Sequence, residues 1–200
     1  MENAMGTIFG RTRGGVNERV SYRTKQLISI AAGAVVMFGV ACALHFVWDW
    51  TGNFLPTAIF AAVNESVWEH VKILSWSFLL WSVAEYYILR PDWKRFVTAR
   101  TVGLVTVMLL TICFFYVYSG VLGRSVVWVD ISSAAVWLLV GELVSIRALN
   151  SPYESEYFYF ICVALLTLIL VMLLCFTVSA PHIGLFRDPI TGLYGLETRF

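Results

Sequence analysis

Nine polar residues interrupt an otherwise apolar chain: His45, Asp49, Asn64, Glu65, Glu69, His70, Asp130, His182 and Asp188. Imidazole beside carboxylate is a donor set for zinc and, less specifically, for manganese or iron. Three protein ligands plus a water make a hydrolytic centre, in which a divalent metal lowers the water pKa toward about 7 and a nearby carboxylate takes the proton. That chemistry places the metal ligands among His45, Asp49, His70, Asp130 and His182, with Glu69 as the catalytic base. Asn64, Glu65 and Asp188 complete the polar cluster. His45 and Asp49 are spaced i,i+4 and share one helical face.

Each of these residues also has a structural reading. Ser66-Val67-Trp68-Glu69 is a capping box, so Glu69 would satisfy backbone donors where a helix begins. Asn64 and Glu65 suit a helix N-terminus, where the helix dipole favours negative charge. Lys72, three residues after Glu69, is placed to pair with it. His45 and Asp49 could pair with each other, and His182 and Asp188 could be solvated turns of the tail, where Pro and Gly punctuate Asp188-Pro189-Ile190-Thr191-Gly192-Leu193-Tyr194-Gly195. A cap does not need His70, and Asp130 has no obvious cation nearby in sequence.

The elements that must position these residues are membrane helices. The 200 residues are 59% hydrophobic, 16% aromatic and 14% charged, and mean hydropathy is +0.76, far from the soluble range. Segments 26–50, 66–89, 101–122, 126–147 and 156–179 are each long and apolar enough to span a bilayer, predicting an all-α five-helix transmembrane bundle. The apolar stretch 53–63 is too short and carries Pro56, so it reads as a re-entrant or interfacial helix. Residues 1–25 form a basic lead-in, 26–179 the bundle and 180–200 a tail that could fold over the mouth as a lid.

Orientation follows the Lys and Arg bias. Arg11, Arg13, Arg19, Arg23 and Lys25 precede the first segment, Arg90, Lys94, Arg95 and Arg100 separate the second from the third, and Arg147 ends the fourth. These ends are expected in the cytoplasm, with the N-terminus inside and the C-terminus outside. All nine polar residues then meet at the outer face. Glu85 and Glu142 fall toward the cytoplasmic ends, where Arg90 or Arg147 could neutralise them, or where they could form steps of a proton path. The tryptophans and tyrosines near the outer boundary read as an interfacial belt, and Cys42, Cys113, Cys162 and Cys175 as packing residues without metal-ligand spacing. A net charge of +1 offers no field for nucleic acid; the expected partner is membrane lipid, and no protein partner is indicated.

His45-Phe46-Val47-Trp48-Asp49-Trp50, Gly52-Asn53, the run from Asn64 through Lys72 with its N-E-S-x-W-E-H-x-K pattern, and the segment Asp188 to Gly195 resemble a family of small bacterial multipass membrane proteins of unknown function. The resemblance covers most of residues 40–195. It implies a protein of the bacterial inner membrane and imports no activity. More distantly, Ser, Asp and His at one membrane face are similar to the transmembrane hydrolases that include alkaline ceramidases and progestin-type receptors, although their seven-helix core and late HxxxH are absent from this sequence.

Three functions are therefore expected to compete. A metal-dependent hydrolase would act on a lipid or lipid-linked group at the outer face. A transporter or channel would use the same cluster as an ion or proton site, with a polar route down to Glu85 and Glu142. A non-catalytic assembly protein would satisfy its polar groups internally.

Overall fold

Three of the helices begin where the sequence supplies a side-chain cap. In the computed structural model, the backbone is described for residues 2–152 and 155–199 and the side chains for residues 20–152 and 155–197. Helix α1 covers Glu2–Trp50, α2 Val67–Leu89, α3 Trp93–Leu122, α4 Val127–Leu149 and α5 Glu156–Val178. Ser66, Asp92 and Ser155 accept hydrogen bonds from the backbone N–H groups of Glu69, Arg95 and Phe158, which would otherwise be orphaned in the first turns of α2, α3 and α5. Arg90 and Gly123 end α2 and α3 in the left-handed conformation, and Pro91 immediately follows the first of these stops. The Arg11, Arg13 and Arg19 side chains of the basic lead-in lie outside the described ones.

Short connections make successive helices antiparallel. The C-terminal ends of α1, α3 and α5 therefore meet the N-terminal ends of α2 and α4. Within the 53–63 stretch only Leu55–Ile59 is helical, as a single 3-10 turn. Beyond α5 the tail makes two further 3-10 turns, Gly184–Phe186 and Gly195–Arg199, and an isolated bridge between Arg187 and Tyr194.

Four helices are long and apolar enough to cross a membrane: Val20–Trp50 within α1, and α3, α4 and α5. The fifth expected segment, α2, equals α4 and α5 in length, and its 23 residues at 1.5 Å each run about 35 Å. It is less apolar because it carries Glu69, Lys72 and Glu85 among Ser and Trp residues. Those charges are hidden by protein. Helix α2 lies at the centre of the bundle, where Trp68, Val71, Leu74 and Phe78 pack with Met37 of α1 and Leu104 of α3. Outward-facing residues such as Val35, Val121, Phe160 and Val178 are more than half exposed, which suits acyl chains and not water. The four cysteines are unpaired.

Candidate functional site

The run from Asn64 to Lys72 is largely consumed by architecture. Asn64 accepts a hydrogen bond from the Ser66 N–H (2.9 Å) and donates its amide to the Gly195 carbonyl (3.0 Å), tying the tail to the start of α2. The Ser66 hydroxyl caps the helix. Trp68 is buried against Phe176 of α5 and Phe186 of the tail, with ring centroids 5.4 and 5.0 Å away. Glu69 is almost fully buried and accepts from Lys72 Nζ at 2.7 Å and from the Val63 N–H at 2.8 Å. Lys72, wholly buried, also donates to the Ala58 carbonyl at 2.8 Å and to Thr177 Oγ1 at 3.4 Å. This pair fastens the 58–63 loop and α5 to α2, and it leaves the Glu69 carboxylate engaged where the sequence reading gave it a base role.

Glu65 and His70 have no comparable task. Ser66 is the N-cap, so Glu65 precedes the cap and His70 is the fourth residue of the helix; side chains at these two positions meet at helix starts. Often the two are apolar and form a hydrophobic staple. Here they are a carboxylate and an imidazole. His45, from the last turns of α1, joins them: Glu65 Oε1 is 3.5 Å from His45 Nε2, and Glu65 Oε2 is 3.7 Å from His70 Nε2. The two rings are 5.4 Å apart and tilted by 38°.

The tautomer of His70 follows from its other nitrogen. Nδ1 lies 2.9 Å from the Ser66 carbonyl, which can only accept, so Nδ1 carries a proton. In the neutral ring the lone pair is then on Nε2, the atom nearest Glu65. A lone pair and a carboxylate oxygen repel, and both separations exceed good hydrogen-bond length. The arrangement calls for a cation between them, either a proton or a metal. One ligand atom from each of His45, Glu65 and His70 can be chosen such that all lie within 4.8 Å of one another. Ligands around tetrahedral zinc stand about 3.4 Å apart, so binding requires a contraction of about 1 Å. The three side chains are 26%, 43% and 37% exposed for His45, Glu65 and His70, and so have room to make it. A backbone carbonyl on the remote His70 nitrogen is the usual means of orienting a metal-bound histidine.

The other expected ligands are placed differently. Asp49 is exposed one turn beyond His45, near enough for its charge to act on that imidazole. Asp130 accepts a hydrogen bond from the Tyr118 hydroxyl, which in turn accepts from the Val126 N–H at 3.2 Å, closing the turn from α3 to α4. His182 stacks on Tyr194 with centroids 4.4 Å apart and stands 3.7 Å from Glu197. Asp188 is buried inside its own turn, accepting from the Ile190 N–H and the Thr191 hydroxyl. Of the five residues named as ligands, His45 and His70 come together; the carboxylate between them is Glu65, which the sequence reading placed only in the surrounding cluster. Its signal was the pairing of the position before the N-cap with the fourth residue of the helix.

A cleft of about 370 Å³ opens beside this group, with Glu65 and Val67 on one side, Phe115 and Tyr116 of α3, and Arg187 and Asp188 of the tail.

A second polar group occupies the other half of the bundle. Arg100 is not a loop charge: it lies within α3, 4% exposed, and Nη1 is 2.6 Å from both Glu85 of α2 and Glu142 of α4. Its Nε donates to Ser82 at 2.7 Å, and its guanidinium carbon sits 3.9 Å above the Phe78 ring. Ser29 of α1 donates to the other Glu85 oxygen at 2.7 Å. Glu85 and Glu142 thus meet Arg100 instead of Arg90 or Arg147. Close approach of α3 and α4 permits this, since a Cβ at Gly103 would stand 2.7 Å from the Gly141 carbonyl.

No curated protein and no solved structure matches the chain. The model of a family of unknown function, DUF6512, matches residues 17–196, taking in both polar groups and the folded tail, and the chain belongs to that family.

Proposed function

We propose that the chain is a metal-dependent, membrane-embedded hydrolase that acts on a lipid or lipid-linked group at the outer face, with His45, Glu65 and His70 holding a divalent ion, zinc above others. One observation carries the reading. In a run whose Asn64, Ser66, Glu69 and Lys72 side chains are all bound to neighbours, Glu65 alone faces two imidazole nitrogens, and His70 has its other nitrogen fixed by a carbonyl. Two His and one carboxylate with an open fourth position is the ligand set of hydrolytic zinc. A divalent ion there supplies Lewis acidity and an acidified water. With Glu69 engaged by Lys72, the base role passes to Asp49, one turn from His45 and exposed. Bulk water reaches the site because all three ligand side chains are partly exposed.

The same reading has α1 to α5 crossing a bacterial inner membrane, the N-terminus inside, the C-terminus outside, and the 53–63 segment lying at the interface. Its support is the gathering of Arg23, Lys25, Arg90, Lys94, Arg95 and Arg147 at the bundle end opposite the histidines. Transport would ask for a polar route from the histidines to Arg100. Buried Val71, Leu74 and Phe78 of α2 stand along that span, which favours a site closed from below.

Metal analysis of the full chain purified in detergent without chelators tests the proposal. Near-stoichiometric zinc is expected in the parent and a loss of most of it in His70→Ala and Glu65→Ala. A parent free of metal sinks it.

A further inference from the structure

The cleft beside Glu65 has a cationic member on its other side. Arg187 lies in the tail, exposed, where its Nε donates to the Gly192 carbonyl at 3.3 Å. Gly192 has φ of +76°, and a Cβ there would come 3.3 Å from Arg187 Nη2, so glycine both makes the turn and leaves space for the guanidinium across it. The neighbouring carboxylate, Asp188, is saturated by the Ile190 N–H and the Thr191 hydroxyl. Among the described residues Arg187 has no ion-pair partner, and its two Nη groups keep their donors. Between Arg187 and Glu65, the cleft is walled by Val67, Phe115 and Tyr116, and the next outward residues of α3, Val117 and Val121, are 65% and 80% exposed.

We infer that this cleft binds a phosphate-bearing group, with the guanidinium of Arg187 holding phosphate oxygens beside the His45–Glu65–His70 site. The inference rests on the metal reading of that site and names its substrate class. Once a divalent ion offsets Glu65, that side of the cleft and the Arg187 guanidinium both attract an anion, while the Asp188 carboxylate in the lining is engaged by the Ile190 N–H and the Thr191 hydroxyl of its own turn. A guanidinium fork matches two oxygens of one phosphate, and its Nε anchor holds the fork in place. The apolar wall and the exposed stripe of α3 suit an attached acyl or isoprenoid chain better than open solvent. A cleft of about 370 Å³ takes a headgroup and not a whole lipid.

Native mass spectrometry of the full chain in detergent provides the test, with dioleoyl phosphatidic acid, dioleoylglycerol and inorganic phosphate as separate probes and zinc measured in parallel. Phosphatidic acid is expected to bind and dioleoylglycerol, which lacks only the phosphate, is not. Arg187→Gln keeps a donor for Gly192 but removes the charge; it should weaken phosphatidic acid binding at least about tenfold, the worth of one charged hydrogen-bonding partner, and leave zinc content unchanged. Equal binding of dioleoylglycerol, or an Arg187→Gln protein that binds like the parent, overturns the inference. Should Arg187→Gln lose its fold, Arg187→Lys, which keeps charge without the fork, is expected to bind more weakly than the parent; parental affinity counts against the fork. Inorganic phosphate that displaces the lipid at equal concentration supports the phosphate site and assigns its source to the free anion. A zinc-free parent that still depends on Arg187 counts against the metal reading alone, whereas a zinc-loaded parent indifferent to Arg187 counts against this inference alone.

Discussion

The bundle holds two polar groups of similar composition and opposite character. Around Arg100, one guanidinium, two carboxylates and three serines are buried, drawn from α1, α2, α3 and α4, and nearly every donor has an acceptor within 3.4 Å; only Glu142 Oε1 lacks a partner. Around Glu65, a carboxylate and two imidazoles are partly exposed, their nearest approaches are 3.5 and 3.7 Å, and His45 Nδ1 is buried without a partner. Ionisable side chains are costly among apolar helices unless they are paired. The first group offsets that cost with its own hydrogen bonds, and so it has the form of a fastener between helices. The second holds its imidazoles and carboxylate beyond hydrogen-bond length of one another, and so it has the form of a candidate receptor for a cation. Saturation, and not the mere presence of charge in an apolar chain, separates the fastener from the candidate site here.

The comparison breaks first at Arg100. Arg100→Ala leaves Glu85 and Glu142 buried without their cation, and the loss for a broken buried pair is about 3–5 kcal/mol. Thermal unfolding in detergent should show a large drop in Tm or failure to accumulate. Arg100→Met combined with Glu85→Leu and Glu142→Leu removes the whole ionisable set and should recover most of the stability, since matched apolar replacements of buried ion groups are often neutral. A stable single variant would mean that the inner group is not a fastener.

Glu69→Ala comes next, at about 3 kcal/mol, because Lys72 would keep the Ala58 carbonyl and Thr177 but lose its counter-ion. This variant is expected to retain its zinc. A base role for Glu69 predicts the reverse pattern: an unchanged melting curve and lost turnover.

Asn64→Ala should cost about 1 kcal/mol, the scale of one buried hydrogen-bonded group. It removes the tie to Gly195 and the turn ahead of Ser66. Limited proteolysis should then cut the tail earlier than in the parent, and uncut tails would show that Phe186 packing alone holds it.

What the sequence disclosed follows the same division. Helix number, the capped start of α2 and the convergence of His45 and His70 were legible because hydropathy, the S-x-x-E box and topology are local or bilayer-wide signals. The role of Arg100 was hidden, since a Lys/Arg-rich connection between apolar segments looks alike whether its last arginine faces water or two glutamates. Capping marked Glu69 as architecture, yet its carboxylate works through Lys72 and the Val63 N–H, contacts that only the folded 53–63 loop creates. Asp130 and His182 lie at the histidines' end of the bundle but are held by Tyr118 and Tyr194, partners that charge-based topology does not resolve.

The smallest expected effect on stability is the most informative. Glu65→Gln keeps shape and size at a position 43% exposed, and substitutions of that kind fall within about 0.5 kcal/mol. If the histidines served only to pair with Glu65 as ions, removing its charge would lower Tm slightly and do nothing more. If Glu65 completes a metal site, the neutral amide is a poor ligand between two imidazoles, and zinc should fall well below stoichiometric while the chelator-stripped variant and the chelator-stripped parent melt alike. Zinc returned to the stripped parent should raise its Tm by linkage, because the ion binds the folded state, and should leave stripped Glu65→Gln unmoved. The opposite result, zinc raising both melting curves equally, would place the ion elsewhere and reduce the Glu65 group to a surface ion pair, erasing its contrast with Arg100.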